Sequence, residues 1–330
     1  SMSKAAKLSR PYRVENGKKF RLKDFDPGDT GGLKLEKDHA AELLDKGVEL
    51  LASLQDRLYA QDKRALLLVF QAMDAAGKDG AIYAGTFRGG VFRSRDGGKI
   101  WQPVNKGLKR LEIKALMMDA KGLYAGTGDG VYLLNAAQDQ WKVVSTGLDE
   151  ILVHALARTD DGTLYAGTSG KGVHSYKERS TGWTRLRQGL RDHEGLVENF
   201  IRVLAVDKEQ GVYAGTFDGG VFRSGDAGKT WSPISRALPN DSIRGLISNE
   251  RGVYVATGRG IFKTVDKGRQ WVPLNKGLSN LSVQVLIEGE KGGFYAGTSS
   301  GVFRSDDDGL TWTAVSQGLE GESVAPFKFN

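Results

Sequence analysis

The sequence predicts a mainly β protein: a six-bladed β-propeller of four-stranded antiparallel blades, with a short α-helical N-terminal segment. Three observations predict it. The phrase YAGT recurs at Tyr83–Thr86, Tyr124–Thr127, Tyr165–Thr168, Tyr213–Thr216 and Tyr295–Thr298, and YVAT at Tyr254–Thr257 is a sixth copy. All six tryptophans (Trp101, Trp141, Trp183, Trp231, Trp271 and Trp312) fall at one equivalent place downstream, spaced 40, 42, 48, 40 and 41 residues apart. Glycine is abundant, 45 of 330 residues, and nearly all of it lies in this repeat. A period near 40 built from short strands is the mark of propeller blades.

The chain divides into a basic tail (1–23), a helix-strand-loop segment (24–80) and the six repeats (81–330). Ser1 ahead of Met2 reads as a residue left by tag removal and is set aside. Residues 1–23 carry Lys4, Lys7, Arg10, Arg13, Lys18, Lys19, Arg21 and Lys23 against Glu15, which accounts for the whole net charge of +7. Such an arm holds polyphosphate or another polyanion by releasing counterions, or else is simply solvated. The densest apolar run, ALLLVF at 65–70, is far too short to span a bilayer, and no signal peptide opens the chain. Cysteine is absent, which removes disulfides, thiolate metal sites and cysteine nucleophiles. A cytoplasmic location and no membrane partner are expected.

Between 24 and 80, HAAELLDKGVELLASLQDRLYAQ places Leu43, Leu44, Val48, Leu51, Leu54 and Leu58 on one face of a helix. The strand RALLLVFQAMD and the loop AAGKDG follow. Together with PYRVENGKKFRLKDFDP and DTGG upstream, these stretches resemble the start of a family-2 polyphosphate kinase, which moves phosphate between polyphosphate and nucleotides. The resemblance implies that Asp74 is the catalytic-loop acid and Lys78 the phosphate-binding lysine, with Gly77 and Asp79 completing a phosphate-binding relic. A phosphate loop of the G-x-x-x-x-G-K-[ST] kind cradles the anion with glycine amides. Here Ala72 stands where the first glycine belongs. Phosphate binding also draws on the helix that follows such a loop. In this chain a β-strand begins at residue 81 instead, and the second acidic strand motif, the lid helices and the clamping arginines have no counterpart. Phosphoryl transfer rests on positioning and electrostatics, so no catalytic residue is assigned and no enzyme activity is expected. ATP–Mg²⁺ or polyphosphate enters only as the ligand of a binding protein derived from such a kinase.

Each repeat from 81 onward has the same parts. A strand such as LYAGT meets a glycine turn and a second strand such as GVFRS, a polar turn leads to the tryptophan strand, and a "GL" connection reaches an apolar strand such as IRVLAVD. Four of the polar turns, SRDGGKIW, SGDAGKTW, TVDKGRQW and SDDDGLTW, share S/T-x-D-x-G-x-x-W. The pattern resembles the Asp-box, or BNR, repeat of sialidase-type and photosystem-assembly-factor-like propellers, over 81–330. Asp96, Asp226, Asp266 and Asp307 are expected to be fold residues: the carboxylate accepts backbone N–H bonds, Gly supplies a positive φ, and Trp packs between blades.

A sialidase needs an arginine cluster, a tyrosine nucleophile with a glutamate partner, and an acid. Six of the ten tyrosines belong to the repeated strand, the other four form no such constellation, and the loops of blades 2, 5 and 6 offer few arginines. Glycosidase activity is therefore not expected, and glycan binding is kept as a further alternative. With strands lettered A to D outward from the axis, the B–C turns and D–A connections share one face. The turns there present Arg88, Asp129, Lys171, Asp218 and Arg259, of alternating sign. This mixed mouth suits a protein or peptide better than a lipid or a nucleic-acid backbone. The third D–A connection, Arg187–Phe200, breaks the period and is either a functional loop or a tolerated insertion. His39, His154, His174 and His193 show no metal-ligand spacing, so no metal is expected. The first inner strand has two contenders. Ser323–Phe329 is expected to close blade 1, displacing the strand at 65–72.

Overall fold

The computed structural model describes residues 71–72 and 81–315, apart from 97–98, 136, 138, 145, 187–189, 192–196, 240–241 and 290–291. All of these belong to the larger of two compact units, Ala52–Asn330. The basic tail, the helix expected near 39–61, the loop bearing Asp74, Gly77, Lys78 and Asp79, and Ser323–Phe329 lie outside the described residues.

Six four-stranded antiparallel sheets follow one another along the chain, each in the order A-B-C-D. Blade 1 is Gln71–Ala72, Ile82–Thr86, Gly90–Ser94 and Gln102–Pro103; blade 2 is Ile113–Asp119, Gly122–Thr127, Gly130–Asn135 and Gln140–Val143. Blade 3 is Val153–Arg158, Leu164–Thr168, Val173–Tyr176 and Thr184–Arg185; blade 4 is Ile201–Val206, Val212–Thr216, Val221–Ser224 and Ser232–Pro233. Blade 5 is Ile243–Asn249, Gly252–Thr257, Gly260–Thr264 and Val272–Pro273; blade 6 is Val283–Glu288, Phe294–Thr298, Gly301–Ser305 and Thr313–Ala314. In the irregular third connection, Leu190–Arg191 pairs with Val197–Glu198 as a small hairpin.

One expectation is corrected in blade 1. Gln71–Ala72, expected to be displaced, pairs antiparallel with Ile82–Tyr83 on the side where every other blade has its inner strand. In sequence, the apolar run, Asp and Gly that precede YAGT here match those that precede it in later repeats, in keeping with this pairing.

The repeated letters follow from packing between blades. Strand B is buried on both faces, so its glycine leaves room for the first residue of the next blade's inner strand. A Cβ on Gly85 would stand 2.6 Å from Ile113 Cγ2, and one on Gly167 2.6 Å from Ile201 Cγ2. The Thr that ends YAGT donates its hydroxyl to the carbonyl of the Gly closing the turn, from Thr86 to Gly90 at 2.9 Å through Thr298 to Gly301 at 2.9 Å. Tryptophan stitches one blade to the preceding one. Trp141 Nε1 donates to the Val104 carbonyl, Trp271 to Ile234 and Trp312 to Leu274, at 2.6–2.8 Å. The glycine of the "GL" connection has φ +97° at Gly107 and +96° at Gly277, and a Cβ there would meet the carbonyl oxygen of Trp141 or Trp312. Five apolar clusters fill the interfaces from blade 1 to blade 6.

The four S/T-x-D-x-G turns share one hydrogen-bond pattern. Ser94, Ser224, Thr264 and Ser305 each donate to the Asp two residues on, and that Asp accepts the backbone N–H four residues further along. The residue before the glycine is also left-handed at Ala227, Lys267 and Asp308, with φ of 60–64°. Neighbouring donors hold the Asp226 and Asp307 carboxyls down at about 2, the Thr230 and Thr311 hydroxyls being the largest influence.

Candidate functional site: the mouth of the channel

The two faces of the propeller differ in how their charges are used. On the face formed by the A–B and C–D turns, many cations and anions are paired, mostly between blades, while Arg95, Lys229 and Arg269 make no ion pair among the described residues. Arg158 joins Asp119, Arg93 joins Asp139, and Arg251 bridges Glu288 and Asp308, where Lys263 also ends. Lys121 meets Glu178, Lys177 meets Asp161, and Lys267 meets Glu209. A cavity of about 870 Å³ opens on this face between blades 1 and 3, and its Asp119, Arg158, Lys121 and Glu178 are those same paired groups.

The B–C/D–A face is different. Among the described residues it holds one ion pair, Lys114 to Glu112 at 3.5 Å. Arg88, Lys171, Asp218 and Arg259 are exposed at its turns. Arg88 lies 5.6 Å from the Phe87 ring centroid. Asp129 is used internally, accepting from Thr127 Oγ1 at 2.8 Å and Tyr132 Oη at 2.9 Å. The sequence-predicted residues are thus spread around the rim, and Asp129 is turned toward its own blade.

Inside that rim lies a ring that reading the loops missed. The pairing of strand A with strand B skips one residue near its start, at Lys114, His154, Arg202, Arg244 and Gln284 in blades 2 to 6. Each is the extra residue of a β-bulge, a device that re-aims a side chain out of the ladder. Each is half-buried between two buried neighbours or a buried and a half-buried one. Lys114 Nζ lies 4.3 Å from the Phe87 ring centroid and the Arg202 guanidinium 4.8 Å from that of Phe217. His154 meets Phe217 edge-on at 5.5 Å, and Phe200, 52% exposed, meets the same ring at 6.5 Å. Arg244 Nη1 donates to Ser282 Oγ at 3.1 Å and to the Val283 carbonyl at 3.4 Å. Gln284 Nε2 donates to Ser282 Oγ and Ser299 Oγ.

Burial pushes the His154 imidazole down to about 4, aided by Lys114 and Arg202 and opposed by Glu112. Burial, then Arg244, lowers Arg202, while Asp218 acts the other way. The signal for this ring was present in the sequence. Aligning IKALMM, VHALAR, IRVLAV, IRGLIS and VQVLIE shows a polar residue second in the inner strands of blades 2 to 6. No group of three or more His, Asp or Glu suited to a metal ion occurs among the described residues. No helix among them is long and apolar enough to cross a membrane.

Two kinds of similarity run along the chain. Residues 34–86 match the family described as Polyphosphate kinase 2 (PPK2), so the match runs to Thr86, the last residue of strand B of blade 1. The AMP/ADP-polyphosphate phosphotransferase of Meiothermus ruber is 46% identical over 71 residues, 22% of this chain and 27% of that protein. The ADP-polyphosphate phosphotransferase of Rhodopseudomonas palustris is 46% identical over 74 residues, 22% of this chain and 25% of that one. The chain therefore spans about a quarter of the length of these curated relatives. In fold, it is similar to the extracellular domain of a two-component system from B. thetaiotaomicron, with a TM-score of 0.65 and 17% identity over 80% of this chain and 36% of that one. YCF48 from Cyanidioschyzon merolae gives a TM-score of 0.59 and 15% identity over 78% of this chain and 87% of that one. At these identities the likeness is one of fold.

Proposed function

We propose that the propeller is a non-enzymatic binding module that receives a protein or peptide on its B–C/D–A face. One observation carries this reading: the ion pairs among the described residues lie on the opposite face, Lys114 to Glu112 excepted, whereas Arg88, Lys171, Arg259 and Asp218 stand exposed at the mouth with none. Exposed aromatic surface at Phe200 adds an apolar element, and mixed polar and aromatic character is typical of protein-recognition surfaces. The test is photo-crosslinking from two positions of the full chain, Phe200 at the mouth and Val265 on the opposite face. Specific adducts from position 200 with none from 265 support the reading, and the reverse pattern removes it.

A second reading is favoured by the match at 34–86: a polyphosphate- or nucleotide-binding protein derived from a polyphosphate kinase, without its activity. Asp74, Gly77, Lys78 and Asp79 would hold the phosphates, with ATP–Mg²⁺ or polyphosphate as ligand. Calorimetric titration of both ligands tests it, since heat that disappears in Lys78→Ala would place binding in the loop.

A further inference from the structure

We infer that the channel mouth is a binding site for a multiply charged oxyanion, held by Lys114, Arg202 and Arg244 on three of the inner-strand bulges. The inference uses the face named above but not the nature of the partner. A failed search for a protein ligand leaves it standing, and its own failure leaves the rim free to bind a protein.

The argument starts from what these side chains lack. A guanidinium carries five N–H donors, and taking a charge out of water without a partner is expensive. Arg202 is half-buried, yet among the described residues it makes no hydrogen bond or ion pair and lies against the Phe217 ring. Arg244 on the next blade has one neutral hydroxyl and one carbonyl for its charge. Lys114 has Glu112 at 3.5 Å, longer than a good charged hydrogen bond. Among the described residues, Glu112 acts on His154 and Asp218 on Arg202, and Asp218 is exposed at the rim. The cations repel one another, and nothing described brings enough negative charge between them.

The same residues are nonetheless held in place. Phe87 and Phe217 position Lys114 and Arg202 through cation–π contact, and Ser282 fixes Arg244. His154, neutral near pH 7, sits between the Lys114 and Arg202 blades and offers a neutral ring nitrogen rather than a further charge. Gln284 adds an amide at the next position. Fixed like charges that outnumber their described counter-charges form a preorganised anion site, and three of them, on blades 2, 4 and 5, favour a ligand with several negative oxygens. Phosphate chains and polycarboxylates share that chemistry.

The experiment is calorimetric titration of the full chain at low ionic strength with tripolyphosphate and, separately, with citrate. Four variants run beside it: Arg202→Gln, Lys114→Gln, Lys78→Ala, and a full-length chain in which the eight basic residues of 1–23 are replaced by Gln. Losing one charge-assisted contact is expected to weaken binding by about tenfold or more in Arg202→Gln and Lys114→Gln, with Lys78→Ala and the tail variant unchanged. Thermal melts identify folded variants, and Lys114→Gln, on a partly exposed stem, keeps the test alive if Arg202→Gln unfolds. Citrate binding with the same sensitivity assigns the site to carboxylates, and preference for tripolyphosphate assigns it to phosphates. Absence of binding to both anions, or binding lost only in the tail variant or in Lys78→Ala, overturns the inference.

Discussion

At the scale of single residues, the glycine of YAGT is first a packing residue. A Cβ on Gly215 would lie 2.6 Å from Ile243 Cγ2 and 2.7 Å from Val203 Cγ1, and its backbone is not in the left-handed region, so alanine there tests packing alone. Gly215→Ala is expected to destabilise the protein by about 1–3 kcal/mol through overpacking. Blades 5 and 6 carry the compensated pair Ala256 and Val283, both fully buried in one cluster. Ile243→Val keeps the opposing Cγ2 but sheds Cδ1, which lets the side chain shift away, and should recover part of the loss, as read from denaturant midpoints at constant slope. Histidine gives a second expectation. Burial first, then nearby cations, pushes His154 and His174 down to about 4, from an ordinary value near 6.5. Their unfolded forms take up protons that the folded forms refuse, so stability is full above pH 6.5 and falls as pH drops toward 4. After allowance for solvent screening the loss is roughly 1–2 kcal/mol per histidine. Replacing both by Gln should flatten the stability profile between pH 6.5 and 4, leaving the later loss near pH 2–4 from Asp226 and Asp307.

At the scale of the blade, the sequence is legible where burial repeats and opaque where function varies. Tyr, Gly, Thr and Trp recur because every blade closes its turn with the same hydroxyl, most need the same clearance, and Trp141, Trp271 and Trp312 make the same stitch to the preceding blade. The channel-mouth position changes from Lys to His to Arg to Gln, so it leaves no repeated letter, only a recurrent polarity between apolar residues. A bulge is invisible in a period-two reading, since it shifts the alternation by one. The tryptophan stitch also varies in a way that the letters hide. Trp141 Nε1 donates to Val104, while Trp183 Nε1 is buried with no hydrogen-bond partner among the described residues. Removing a made bond leaves the Val104 carbonyl without that donor, whereas removing an unpartnered donor relieves a desolvated group. Trp141→Phe should accordingly cost about 1–2 kcal/mol more than Trp183→Phe, measured as the difference between their unfolding free energies.

At the scale of the whole molecule, a propeller is a chain of nearest-neighbour interfaces, so its first blade is as necessary as any other. Apolar clusters join blades 1 to 2, 2 to 3, 3 to 4, 4 to 5 and 5 to 6. Blade 1 differs in what covers the inner edge of its YAGT strand: two residues, Gln71 and Ala72, from the stretch that matches a polyphosphate kinase family. An uncovered inner edge would present unpaired N–H and C=O groups to the channel. The kinase-like stretch is thus part of the propeller's own sheet at these positions, not a separate appendage. Proline at 72 lacks a backbone N–H and restricts residue 71, whereas valine favours the extended state. Ala72→Pro should lower global stability by roughly 1–3 kcal/mol with a single unfolding transition, and Ala72→Val should be neutral or better. If Ala72→Pro leaves the transition where it was, the inner edge of blade 1 is held by another segment, and the C-terminal residues expected from the sequence would regain the position.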